Sequence, residues 1–150
     1  MDRNLPPLSD ELVAPFLELL QRLRAICDGD LEKNIILLAI AARSVADAEF
    51  AAMSNEARMQ STAPLLPSRG LNLRSIAESS GIPRETVRRK VGELIEAGWI
   101  GQSGRNLHFT AQGYAALTVG REGLEALAHQ FHQVVQGRAA RAAGAGGAPV

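Results

Sequence analysis

LNLRSIAESSGIPRETVRRKVGELIEAGWIGQSGRNLHFT, residues 71–110, is the stretch whose reading decides the fold. Its opening sets Leu73, Ile76, Ala77 and Ser80 on one side of a short helix, and Asn72 stands where a side-chain cap is needed. Gly81 supplies the tight turn, because glycine takes positive φ without steric penalty. A second helix is predicted from Pro83, at its first position, to about Ala97. Glu85 near its start is placed to accept from backbone N–H groups around Ile82. Val87, Val91, Leu94 and Ile95 follow the i, i+4, i+7, i+8 spacing of a buried stripe. Gly98 ends the helix and Trp99 tucks back against it. Two short runs, Trp99–Gln102 and Leu107–Thr110, flank Ser103-Gly104-Arg105-Asn106 and read as a β-hairpin.

The charges of this stretch point to an anionic partner. The whole chain carries 16 Lys+Arg and 16 Asp+Glu, so bulk charge selects no partner. The balance is uneven along the chain: residues 1–68 sum to −4, residues 69–108 to +3 and residues 109–150 to +1. On a helical projection Glu85, Thr86 and Arg89 lie opposite or nearly opposite the buried stripe, Arg88 and Lys90 flank them, and Arg84 leads. Glu93 and Glu96 lie further along and repel phosphate, so such a helix enters a groove by its N-terminal end. At the hairpin tip, Arg105 with Asn106 beside it suits contact with phosphate or the minor groove.

These residues resemble a known family. Gly81-Ile82-Pro83-Arg84-Glu85-Thr86-Val87-Arg88-Arg89, followed by Leu94-Ile95-Glu96-Ala97-Gly98-Trp99-Ile100, looks like a bacterial winged helix-turn-helix. Phe109-Thr110-Ala111-Gln112-Gly113-Tyr114-Ala115-Ala116-Leu117 resembles the step from wing to C-terminal dimerisation helix in MarR-type regulators. The likeness covers residues 71–117 and extends to the flanking helices by architecture alone. It departs at residues 46–70, which are long for such proteins, and at Pro83, where Ser or Thr is usual. The wing also lacks the acidic residue often found there.

The resemblance implies a mainly α fold, a winged helix-turn-helix with a small hairpin wing and flanking dimerisation helices. It implies a homodimeric transcriptional regulator binding a pseudo-palindromic site in double-stranded DNA, with Arg84, Arg88, Lys90 and Arg105 on phosphates and Thr86, Arg89 and Glu85 at bases. It also implies a small-molecule effector for which no residue here selects a chemistry. Glu85 reads equally well as a residue that favours the helix N-terminus. The rival function is a winged-helix protein–protein interaction module that never binds DNA, its basic face docking an acidic protein.

The rest of the chain is expected to frame this lobe as one compact domain with a core mostly of Leu, Ile, Val and Ala, since aromatics are only 4%. Residues 1–46 are read as N-terminal helices. In the first, Leu12, Phe16, Leu20, Leu23 and Cys27 form the apolar stripe, and Pro15 marks either a start near Ala14 or a kink. The second begins at Leu31 after Asp30; Ile35, Leu38 and Ala42 form one stripe, and further apolar residues cover most of the rest. Residues 47–70 are read as a helical insertion followed by a loop from Ser61 to Gly70, residues 111–136 as one dimerisation helix, and residues 137–150 as a disordered tail.

Other chemistry finds little footing. Cys27 sits on an apolar stripe and reads as a plain buried thiol, although some MarR-type proteins sense oxidants through a cysteine in the first helix. His129 and His132 are two ligands short of a metal site. No Gly-rich phosphate loop or nucleophile elbow occurs, so no enzyme and no cofactor are expected. No apolar run is long enough to span a bilayer and the N-terminus does not read as an export signal, which places the chain in the cytoplasm without a membrane partner.

Overall fold

The computed structural model describes residues 6–60 and 66–146. Among them the chain is mainly helical, with a small two-stranded antiparallel hairpin. In order the elements are α1 (Leu8–Ile26), α2 (Leu31–Val45), α3 (Ala48–Ala51), α4 (Asn55–Gln60), α5 (Leu73–Ser80), α6 (Arg84–Glu96), β1 (Ile100–Ser103), β2 (Asn106–Phe109), α7 (Ala111–Ala116) and α8 (Thr118–Ala145). The expected single domain divides into two compact units, Arg24–Thr118 and Met1–Leu23 with Val119–Val150. Among the described residues no helix is long and apolar enough to cross a membrane.

In the larger unit α2 is the spine. Asp30 caps it by accepting from the Lys33 backbone N–H at 3.0 Å. Ile36, Leu37 and Ile40 are buried, and this face receives α5, α6 and β2. The expected stripe through Leu38 is not the core face: Leu31, Leu38 and Val45 remain exposed because the other elements pack on the opposite side.

The stretch 46–60 is two short helices where one helical segment is expected. Asp47 accepts from Glu49 N–H and Phe50 N–H, and the Ser54 hydroxyl accepts from Ala57 N–H. Each cap offers the backbone a bond that ends one helix and starts the next. Phe50 enters the core, and the Arg58 guanidinium lies 4.1 Å from its ring centroid. Arg58 donates to Phe50 O at 2.9 Å and to Tyr114 Oη at 3.0 Å, while Tyr114 Oη donates to Asn55 Oδ1 at 2.7 Å. The insertion is thereby pinned to α7.

Part of the expected loop 61–70 lies outside the described residues, at 61–65. From Leu66 onward it is a packed segment alongside β2. Leu66 N–H donates to Phe109 O and Leu107 N–H donates to Leu71 O, both at 2.8 Å, and Leu66 and Leu71 are buried.

The pair α5–α6 follows the sequence closely. Asn72 and Ser75 form a reciprocal capping box, and Gly81 turns the chain at φ 71°. Pro83 stands at the N-cap and not at the first helical position, with no side-chain cap bond. Gly98, at φ 80°, closes α6: Trp99 N–H donates to Leu94 O and Gly98 N–H to Ile95 O. In the hairpin Ile100 pairs with Phe109 and Ser103 with Asn106.

The expected helix 111–136 is broken at Leu117 into α7 and α8, and α8 continues to Ala145. The disorder expected from residue 137 is therefore corrected over 137–145, while 147–150 lie outside the described residues. Alanine and arginine carry high helix propensity, and Arg138 is held at 2.7 Å from both Glu11 Oε1 and Pro6 O.

In the smaller unit α8 lies against α1 through glycine. A Cβ at Gly123 would stand 2.9 Å from Arg22 Cδ and 3.1 Å from Leu19 Cδ1. Leu19 is buried there, whereas Phe16 and Leu20 of the expected stripe are 52% and 39% exposed. The contact with α8 selects a different face of α1 from the one periodicity marks. Pro15 lies inside α1, so a helix start near Ala14 is not observed.

A close backbone approach fixes the start of α7 against the Gly98–Trp99 turn that follows α6. Thr110 Oγ1 donates to Gly98 O and accepts from Gly113 N–H, and a Cβ at Gly113 would stand 2.0 Å from Trp99 O. Gly113→Ala is expected to lower unfolding free energy by about 2–3 kcal/mol in urea denaturation. Gly92→Ala, on a helical residue with open space at its Cβ, should raise it by up to about 1 kcal/mol. Equal effects from the two substitutions would contradict this account of the Gly113 contact.

Candidate nucleic-acid interface

The face of α6 opposite Val87, Val91 and Leu94 is the candidate surface. Burial of that apolar stripe fixes which residues look outward. Arg84, Glu85, Arg88 and Arg89 are exposed, and Thr86 is half-buried. At the hairpin tip Gly104 takes φ 60°, its carbonyl accepts from the Gln102 side chain at 3.1 Å, and Arg105 is exposed with Asn106 half-buried beside it. Arg84 and Arg105 have no ion-pair partner among the described residues.

Two of the outward arginines are paired along the helix. Arg88 donates to Glu85, and Arg89 donates to Glu93 Oε1 at 2.8 Å. Arg88 holds the Glu85 carboxyl below its usual range, and Glu85 holds the Arg88 guanidinium above its own. Glu85 therefore engages Arg88, while the Ile82 N–H it was expected to serve is met by Ser80 Oγ at 3.2 Å. Solvent screens exposed pairs of this kind, so they contribute little to stability.

Lys90 is the correction. The sequence reading puts it on the solvent face as a phosphate contact; its side chain is only 9% exposed. Its Nζ lies 2.5 Å from Asp30 Oδ2 and 3.3 Å from Glu32 Oε2, at the start of α2. The physical reason is angular: at about 100° per residue Lys90 stands some 40° from Leu94 and 60° from Val87, on the edge of the buried stripe. No local pattern shows its nearer partner, Asp30, which lies 60 residues away in sequence. One turn along, Lys33 Nζ meets Glu93 Oε2 at 2.7 Å, so Glu93 is shared between Lys33 and Arg89 and is not a free repulsive charge.

The structure also places residues that the sequence reading did not name. Arg69 and Arg74 are exposed in the same basic window, Arg74 paired with Glu78 at 2.8 Å along α5. Cys27 is half-buried against the core, and burial pushes its thiol up. In the smaller unit an open groove of about 440 Å³ is lined by Glu11, Glu18, Gln130, Gln133, Val134 and Arg141 among others. Among the described residues no group of three His, Cys, Asp or Glu side chains could hold a metal ion. Compared with known protein families, curated proteins and solved structures, the chain matches none.

The Lys90–Asp30 pair carries a pH signature. Burial pushes the Asp30 carboxyl up, but hydrogen bonds from Lys90 and the Lys33 backbone, with both lysine charges, bring it below the ordinary 3.8. A depressed carboxyl stabilises the fold above its unfolded value and loses that contribution as acid protonates it. The hydrogen bond to Asp30 holds Lys90 above the ordinary 10.5 against burial, so its contribution is full below that value and is lost as alkali deprotonates it. The stability difference between wild type and Asp30→Asn should thus be flat from about pH 5 to about pH 9 and shrink below about pH 4. Urea denaturation across that range checks it; a difference that grows on acidification contradicts the pairing.

Proposed function

We propose that the chain is a winged helix-turn-helix, MarR-like transcriptional regulator that binds a pseudo-palindromic site in double-stranded DNA as a homodimer. The observation that carries this reading is the outward face of α6: Arg84, Arg88 and Arg89 exposed on a helix whose other side is anchored in the core, with exposed Arg105 on the hairpin that follows. Arg84, Arg88 and Arg105 are assigned to phosphates and set position; Arg89, Thr86 and Glu85 are assigned to base edges. A homodimer is supported by the apolar side chains left exposed in the smaller unit, Val13, Phe16 and Leu17 on α1 and Leu124, Phe131 and Val135 on α8. Two-fold symmetry then demands half-sites about 10 bp apart or a multiple of that.

One observation favours a second reading. Arg84 and Arg105 are exposed with no ion-pair partner among the described residues, as open to an acidic protein surface as to phosphate. That reading is a protein–protein interaction module.

Selection from random duplexes with the purified chain separates the two readings. The regulator yields a two-fold symmetric consensus; the module yields no preference at any salt concentration. Arg89→Ala should cost about 1–3 kcal/mol of specific binding and relax one base position, whereas Arg84→Ala should weaken all sequences alike and flatten the salt slope by about 0.9. Phe16→Glu should shift the protein toward monomer in sedimentation and weaken binding to full sites more than to half-sites. An unchanged consensus and affinity for Arg89→Ala removes its base-reading role.

A further inference from the structure

We propose that Lys90 is a positioning residue for α6, a strut that fixes how this helix is presented by seating its ammonium between Asp30 and Glu32, and that it makes no phosphate contact. The proposal rests on the DNA-binding reading of α6 and assigns to one of its cations a different task.

Three observations carry it. The Lys90 side chain is 9% exposed, while the outward cations Arg88 and Arg89 are 64% and 61% exposed. Its partners are not on its own helix but on the first turn of α2, where Asp30 is also the N-cap and accepts from the Lys33 backbone at 3.0 Å. Lys33 returns the tie to Glu93 at 2.7 Å, so two oppositely directed ion pairs link the same stretches of α2 and α6. Lys90 is covered while Asp30 and Glu32 stay 27% and 48% exposed, so an arrangement that separates the two helices leaves the covered ammonium without its carboxylates. Exposed pairs within α6 carry no such penalty.

Asp30→Asn separates the strut from a phosphate contact by sign. Asparagine caps a helix as well as aspartate does, so α2 keeps its start. As a phosphate contact, Lys90 is released by this substitution and a negative charge near the DNA is lost, so binding tightens. As a strut, it loses the nearer of its two carboxylates and keeps only Glu32 at 3.3 Å, so α6 is less firmly placed and specific binding weakens, by about tenfold. Lys90→Met supplies the second reading: its slope of log affinity against log salt should match wild type, while that of Arg84→Ala falls by about 0.9. The double variant Lys90→Met/Asp30→Asn removes both charges of the pair, and its slope decides the matter if Lys90→Met alone does not fold. Tighter binding by Asp30→Asn, or a salt slope lowered by one contact in either Lys90 variant, overturns the proposal.

Hydrogen exchange on the free protein supplies a readout that needs no DNA. The strut predicts faster exchange in Asp30→Asn confined to α6 and the start of α2, with the hairpin unchanged. Uniform acceleration across the chain overturns it. If wild type selects no duplex, the DNA-binding reading falls, and the exchange pattern alone decides whether Lys90 fixes α6.

Discussion

An ammonium taken out of water has to be met by carboxylates, and this demand ties α2 to α6. Covering the Lys90 ammonium with protein disfavours its charged form, and the hydrogen bond to Asp30 outweighs that. Asp30 and Glu32 offset that cost only if α2 starts at one place relative to the middle of α6. The turn before α2 serves the same end. Asp28 at φ 51° and Gly29 at φ 89° take left-handed backbone in succession, and Asp30 emerges from them extended, able both to cap α2 and to accept from Lys90. Aspartate tolerates that region better than most side chains, which is a local reason for Asp28. The apolar layer of Ile36, Leu37 and Ile40 against Val87, Val91 and Leu94 supplies the bulk of the attraction. The ion pair adds to that packing a tie between named atoms, Lys90 Nζ and the Asp30 and Glu32 carboxylates.

What was legible in the sequence were features decided within a few residues of themselves. The Asn72 cap, the positive φ of Gly81, the Val87–Val91–Leu94 stripe and the Gly98 stop all rest on neighbours at most one or two turns away. Features decided across the chain were not legible. Phe16 and Leu20 have the spacing of a core stripe, yet α8 meets α1 at Leu19, because Gly123 is the residue that lets the helices approach. No local pattern marks Arg58, which meets Phe50 eight residues before it and Tyr114 fifty-six residues after it. Lys90 lies between these cases: its angle beside Leu94 was legible, its acidic partners were not. For the candidate interface this meant that Arg84, Glu85, Arg88, Arg89 and Arg105 were placed outward from periodicity and turn chemistry alone.

The apolar residues that remain exposed are arranged, not scattered. On α2, Leu31, Leu38 and Val45 recur every seven residues with Ile35 and Ala42 between them, the spacing of a helix-to-helix seam. In the smaller unit the exposed set on α1 lies within two turns, Val13 to Leu20. Single exposed leucines are ordinary on protein surfaces, but contiguous ones mark surfaces that meet something. A second copy is the simplest occupant for α1 and α8 under the proposed function.

Pairing within α6 changes what its charges mean under that function. Arg88 is not a bare cation waiting for phosphate, because Glu85 already orients it. If a phosphate took Arg88, as the proposed function requires, Glu85 would be released one turn away, on the face assigned to bases, as an acceptor that a cytosine amino group could meet. The same coupling holds between Arg89 and Glu93, with the difference that Glu93 keeps Lys33 after Arg89 leaves. Glu85 therefore gains reading capacity only through the loss of its partner, whereas Glu93 stays neutralised throughout. Effects at positions 85 and 88 are then non-additive by construction, because each residue defines the state in which the other acts. A charge that looks idle in the free chain is in this way held in reserve by its neighbour.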